Sequence, residues 1–346
     1  MKANSFHTRR GLEGESSRGL SYSDYTTGWM CSTMTDVDAA MVFLDEEHPI
    51  LPPIEPRGPC SYVLGRICRH NVVITFPSAD VAAATSNMIH SVPAIRYVLR
   101  VGIAGGAPYH DKYSTDSEDG LDNIGDIRLG DVVISPDTVQ CEPIICMDLL
   151  QEPVLVDRIY HGVPPIVSSA VSAISRDIQG PIFPMVLLES MEPRFQYPAS
   201  NEDCLFKSTI IHGYGDETCE NCHGPLDINI VKRKDRRGVS PRIHHGCIAS
   251  ANVILKDAIL RDKLARKHGV LCFELGGAEL MDGIPCLVIC GICDYADSHI
   301  NTRWQPYAGV TAASYARVLL GNISRQHLIS LAPLNSYKDK LTGPRT

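Results

Sequence analysis

Short apolar runs alternate with amphipathic stretches along this chain, which predicts strands interleaved with helices. The clearest run is Ile284-Pro285-Cys286-Leu287-Val288-Ile289-Cys290. It is apolar at nearly every position, as in a parallel strand covered on both faces. Gly291 breaks the pattern and Asp294 follows at the strand's carboxyl end. Upstream, residues 26–31 predict a first strand and 35–44 a helix with an acidic first turn that suits the helix dipole. A proline-rich loop spans 48–59, and residues 61–67 and 71–76 read as a strand pair. A helix over 79–90 precedes a strand over 95–101, which runs into the glycine-rich turn Gly102-Ile103-Ala104-Gly105-Gly106. Further strands are predicted over 132–135 and 244–250, and helices over 167–178, 253–268 and 308–322. The alternation indicates a mainly parallel α/β sheet.

The polar ends bound the domain. Residues 1–23 read as a disordered tail, 24–325 as one domain, and 326–346 as a polar tail. Two insertions interrupt the domain: an acidic loop over 109–124 and an irregular, Pro/Gly-rich stretch over 180–240. Net charge is -8, and the one basic run, Lys232 to Arg237, reads as a solvated loop, so nucleic acid is not expected as a partner. The N-terminus has no apolar signal region, and no stretch approaches the roughly 20 apolar residues of a membrane helix. The thirteen cysteines lie mostly inside apolar runs, as buried thiols do in a reducing compartment. A cytoplasmic protein without membrane contact is the expectation. Cys219 and Cys222 form a CxxC pair near His212 and His223. A second Cys or His pair at finger spacing is missing, so no metal and no cofactor are expected.

Candidate chemistry centres on two carboxylates. Asp294 stands at a strand's carboxyl end, where open α/β sheets place ligands, and Glu274 stands on a preceding turn. Each also has a plain structural meaning, as a helix cap or a solvated turn residue. The turn Gly102 to Gly106 has the composition of an anion cradle, although such turns also serve only to reverse the chain.

The motifs YTTGWMCS, LDEEHPILPP, VGIAGGAP, DIRLGDVVIS, HHGCIASAN, VLCFELGGAELM and CGICDYADSHINTRWQPYAG occur in this order. Together they resemble the fungal branch of the nucleoside phosphorylase and nucleosidase superfamily, over about residues 24 to 325. The resemblance implies a three-layer α/β/α domain with a mixed, twisted central sheet, a small-molecule substrate and a homo-oligomer. It sets Asp294 where the acid for the leaving purine stands and Asp36 where the water-activating glutamate stands. Gly102, Ala104, Gly105 and Gly106 would form the anion or nucleophile loop. Ser250, Asn252, Phe273, Leu275, Gly276, Cys290 and Trp304 would line the substrate site.

Departures from the pattern bear on function. The family's Glu-Met-Glu ribose motif is Glu274-Leu275-Gly276 here, and the arginine usual before Gly-Ile-Cys-Asp is Cys290. Ser-Gly-Asn has become Ser250-Ala251-Asn252, and Asp36 is one methylene shorter than glutamate. A ribose without its diol carboxylate would leave polar groups unsatisfied, at about 1–3 kcal/mol each. Lost charge stabilisation would lower the rate by a further ~10²–10³. A larger, more apolar cleft follows from these exchanges. The sequence therefore favours a repurposed enzyme in which Asp294 or Glu274 isomerises or cyclises a weakly polar non-nucleoside without cofactor. A surviving purine nucleosidase or phosphorylase is the first alternative, and a catalytically dead sensor or scaffold domain is the second.

Overall fold

Strand β5 (Tyr97–Gly106) is the axis of the molecule, buried along its whole length except at Ile103. In the computed structural model it runs parallel to β1 (Thr27–Met30) and to β12 (Cys286–Asp294). Its last two residues also pair antiparallel with β11 (Val270–Leu275). The structure describes residues 19–52, 62–78, 81–108, 125–135, 144–148, 154–156, 162–176, 191–198, 202–213, 218–234, 236, 240–276 and 284–337. Residues 1–18, the 109–124 insertion, part of 180–240 and residues 338–346 lie outside that set.

The remaining strands are β2 (Glu46–His48), β3 (Tyr62–Ile67), β4 (His70–Thr75), β6 (Val132–Ile134), β7 (Ile144–Asp148), β8 (Val154–Val156), β9 (Ile243–His245) and β10 (Cys247–Ala251). Together they form a twelve-stranded sheet in the order β2-β3-β4-β1-β5-β11-β10-β7-β8, with β12 joining β5 to β6 and β6 joining β9. The sheet is mixed rather than mainly parallel, because β3 pairs antiparallel with β4, β11 with β5, and β12 with β6. Four expectations change. Gly102 to Gly106 are not a turn: β12 pairs with residues 98–105 and β11 with 105–106, so this backbone belongs to the sheet. Gly291 does not end its strand; it lets α5 (Trp304–Asn322) approach, since a side chain there would run into the Ala308 carbonyl. Glu274 is on β11, not on a turn. The strand predicted over 244–250 is two, split at Gly246, pairing with different neighbours.

Helices α1 (Met34–Val42), α2 (Val81–Ser91), α3 (Pro165–Arg176) and α4 (Ala258–His268) cover the sheet with α5. α4 starts later than its apolar spacing suggests. Asp257 accepts the Ile259 and Leu260 N–H groups at 2.9 and 3.0 Å, and Gly269 closes the helix at φ +67°. α5 packs on β12 and β5, and α1 packs on α5. Trp29, Tyr97, Trp304, Tyr307 and Tyr315 are the bulk of this core. The polar C-terminal tail begins later than expected. α6 (Arg325–Ser330) buries Leu328, and Leu334 is buried with its N–H on the Ile95 carbonyl at 2.8 Å. No described helix is long and apolar enough to cross a membrane.

Candidate active site

Asp36 sits in the first turn of α1 and has two faces. Its Oδ2 accepts the N–H groups of Ser32 and Thr33 at 3.1 and 2.8 Å, while Thr33 Oγ1 accepts the Asp36 N–H, completing a capping box. Its Oδ1 is buried without a hydrogen-bond partner. β5 lies directly beneath: a methyl group at Gly102 would stand 3.0 Å from Asp36 Oδ2. Burial raises the Asp36 carboxyl above the ordinary aspartate range, and nearby Arg100 and the capping bonds pull it back in part.

Asp294 ends β12 against Gly105, three residues farther along β5. Its Oδ1 accepts the Ala296 N–H at 2.8 Å, and its Oδ2 accepts from Cys293 Sγ at 3.3 Å. This is an Asx turn, not a helix cap, and it holds Ala296 at φ +49°. A methyl group at Gly105 would stand 2.6 Å from Asp294 Oδ1, so only glycine fits there. Burial raises the Asp294 carboxyl, and burial pushes the Cys293 thiol well up, so it stays a donor. The loop after Asp294 is held firmly. Arg261 donates to the Tyr295 carbonyl at 2.7 Å, Tyr295 donates its hydroxyl to Asp203, and Arg233 pairs with Asp203 at 3.0 Å.

Arg100 is the residue that spacing and composition did not mark. It is buried in the centre of β5, donates to Glu274 Oε2 at 3.1 Å and to the Leu275 carbonyl at 2.6 Å, and leaves Nε without a partner. A charged residue within the apolar run Tyr97-Val98-Leu99-Arg100-Val101 was the available signal, since a buried cation requires a buried partner. Glu274, buried as well, is that partner.

The other predicted residues divide. Ala104 is buried, and its carbonyl accepts from Cys293 Sγ at 3.6 Å. Gly106 pairs with Cys272, and Phe273 pairs with Gly105. Ser250 is buried on β10 beside Glu274, Cys290 is buried beside Gly102, and Leu275 is 41 % exposed. Asn252 is exposed just past β10. Trp304, expected in the lining of the substrate site, is fully buried at the start of α5, edge-on to Tyr197 at 5.3 Å, so its ring is core. The basic run is not wholly solvated: Arg233 and Arg236 turn inward onto Asp203 and Asp131. Of the CxxC neighbours, His212 reaches both thiols, whereas His223 pairs with Asp227 at 2.9 Å.

No protein-family model matches the chain. It is similar to a nucleotide-binding leucine-rich repeat (NLR)-like protein of Hyaloscypha variabilis, 33% identical over 321 residues. Those residues are 89% of this chain and 30% of that protein, so the chain spans under a third of the relative's length. Among solved structures it is similar to the futalosine hydrolase of Helicobacter pylori, at TM-score 0.50 and 11% identity, over 87% of this chain and 99% of the other. The 5'-methylthioadenosine/S-adenosylhomocysteine nucleosidase of Neisseria meningitidis matches at TM-score 0.50 and 13% identity, over 86% and 99%. The chain has the nucleoside phosphorylase and nucleosidase fold.

Within this nucleosidase fold the two departures in sequence have structural answers. Gly276 stands at φ +83° with its N–H on the Ala251 carbonyl at 3.1 Å. A glutamate there would have to adopt a left-handed backbone, at roughly 1–2 kcal/mol. Near Cys290, a cation is carried by the neighbouring strand. Arg100 lies opposite Val288 in the ladder, between the rows of Cys286 and Cys290, and on the same face. A buried cation therefore stands on β5 close to the row of Cys290.

Proposed function

We propose that the chain hydrolyses an N-glycosidic bond in a nucleoside-like molecule. Asp294 protonates the leaving base and Asp36 activates water. The observation that carries this reading is the unequal setting of two buried aspartates. Both carboxyls are raised by burial; Arg100 favours the ionised form of Asp36, whereas the charge of Asp297 disfavours the ionised form of Asp294. A cation beside one carboxyl and an anion beside the other suit the first to act as base and the second as acid. The unpartnered Oδ1 of Asp36 is the atom free to take a proton from water.

Hydrolysis is favoured over phosphorolysis because Arg100 is already committed to Glu274 and the Leu275 carbonyl, so its charge is not free for phosphate. The fold neighbours named above, a futalosine hydrolase and a 5'-methylthioadenosine/S-adenosylhomocysteine nucleosidase, support this reaction class. Incubation with adenosine, inosine, uridine and methylthioadenosine, with and without phosphate, tests the reading by release of free base. Release independent of phosphate and lost in Asp294→Asn supports it. Release unchanged in Asp294→Asn, or none from any nucleoside, overturns it.

Gly276 favours a second reading. Without a diol carboxylate and with Leu275 partly exposed beside it, the same acid suits a weakly polar non-nucleoside that is isomerised or cyclised. A protein inert toward every nucleoside that still converts such a compound through Asp294 would establish it. A catalytically dead sensor or scaffold role predicts no turnover in either assay.

A further inference from the structure

Residues 202–234 carry a cluster that the glycosidic chemistry does not use. His212 Nδ1 lies 3.6 Å from Cys219 Sγ and 3.4 Å from Cys222 Sγ, and the three ligand atoms lie within 4.8 Å of one another. The His212 ring nitrogen serves one thiol at a time, and Cys219 and Cys222 also bond each other, so the three side chains form one compact cluster. A shared ion satisfies all three atoms. For Zn–S of about 2.3 Å and Zn–N of about 2.0–2.1 Å in a tetrahedron, each N···S edge is about 3.6 Å. The two observed edges match that value.

A fourth candidate ligand lies close by, outside the group within 4.8 Å, and has to move inward to complete it. His299 is 9% exposed, and neither ring nitrogen has a hydrogen-bond partner. Its ring centre is 5.7 Å from that of His212, with the planes at 82°. Two imidazoles on one tetrahedral zinc hold their ring centres about 5 Å apart. Phe206 stacks on His299 at 4.0 Å, and the His212 N–H donates to Ser298 Oγ at 2.9 Å, so the two segments are already docked. Asp297 Oδ1 stands 3.6 Å from His299 Nδ1, a carboxylate beside the ring of the kind that supports a metal-bound imidazole.

We propose that His212, Cys219, Cys222 and His299 bind zinc in a closed tetrahedral site that ties residues 202–234 to the segment following Asp294. Two thiolates and two neutral imidazoles balance the divalent charge, so the buried centre is neutral, and binding releases two thiol protons. The nitrogen and sulfur donors select zinc over magnesium or calcium. Four protein ligands leave no open position, so the ion is structural.

The test is metal content of the full chain, purified without chelator and measured by plasma mass spectrometry. The expected result is about one zinc per chain, and none in Cys222→Ser. Cobalt exchange should give tetrahedral d–d and thiolate charge-transfer bands. A chelator should make two cysteines newly reactive and raise hydrogen exchange at 203–212 and 295–299 together. His299→Ala should weaken zinc binding at least ~10-fold in chelator competition. The wild-type measurements decide the matter even where Cys222→Ser fails to fold. No zinc after loading, a Cys219–Cys222 disulfide in its place, or a cobalt spectrum and affinity unchanged in His299→Ala would each overturn the proposal.

Discussion

Asp131 and Asp36 are both buried, and their surroundings could hardly differ more. Asp131, just before β6, accepts four hydrogen bonds. Its Oδ2 takes the Arg128 N–H at 3.0 Å and His244 Nε2 at 2.9 Å; its Oδ1 takes Arg236 at 2.6 Å and the Arg242 N–H at 2.9 Å. Burial alone would raise its carboxyl, but His244 and Arg236 hold it below the ordinary range. Asp36 spends one oxygen on a cap and leaves the other bare, and burial raises it. Asp294 follows Asp36 in direction. A fully satisfied carboxylate holds the fold, and an incompletely satisfied one beside a glycine strand retains capacity for chemistry.

The strongest way to break that comparison is Asp294→Asn. Base release should fall by about 10²–10⁴ with the unfolding midpoint unchanged or higher, because a buried, raised carboxyl is lost. A clear loss of stability in urea titration would place Asp294 with Asp131. Asp131→Ala should do the reverse, costing about 3–5 kcal/mol by stranding Arg236 and His244. A cost below about 1 kcal/mol in the same titration would remove the distinction. Gly276→Glu should cost roughly 1–2 kcal/mol by thermal or chemical unfolding, for its left-handed backbone. If the nucleoside reading holds, it should lower KM for ribosides with free 2' and 3' hydroxyls more than for 2'-deoxy analogues.

The smallest effect is on pH dependence. The folded values of Asp36 and Asp294 lie above the unfolded value of about 3.9, so the native state binds more protons between the two, and stability falls as pH rises through that window. Asp131 has the opposite sign: its contribution is present above about pH 3.9 and is lost as pH falls through its lowered folded value. Melting temperatures of the wild type and Asp36→Asn across mildly acidic pH should converge at the acid end and separate toward neutrality, with the variant higher. Parallel curves would count against a raised carboxyl at Asp36.

Local pattern made much of this legible. The apolar run through Cys290 marked β12, and Asp294 fell at its end because strand termini follow from hydrophobic spacing. The helix over 34–42, the β3–β4 hairpin and the CxxC pair were equally local features. The glycines of β5 were misleading, because composition describes what a backbone permits and not which neighbours take its hydrogen bonds. Whether Gly102 to Gly106 form a cradle or a strand was decided by β11 and β12, which close on them from distant parts of the chain.

By itself, then, the sequence determined the elements, the phosphorylase-like order of motifs and the two aspartates, since these depend on periodicity over a few residues. Tertiary structure alone decided that Arg100 meets Glu274 from 174 positions away, that it stands beside Cys290, that Gly276 adopts a left-handed backbone, and that His299 comes to rest near His212. Charge pairing and burial act through space, and separation along the chain carries no record of them until the sheet has brought the partners together.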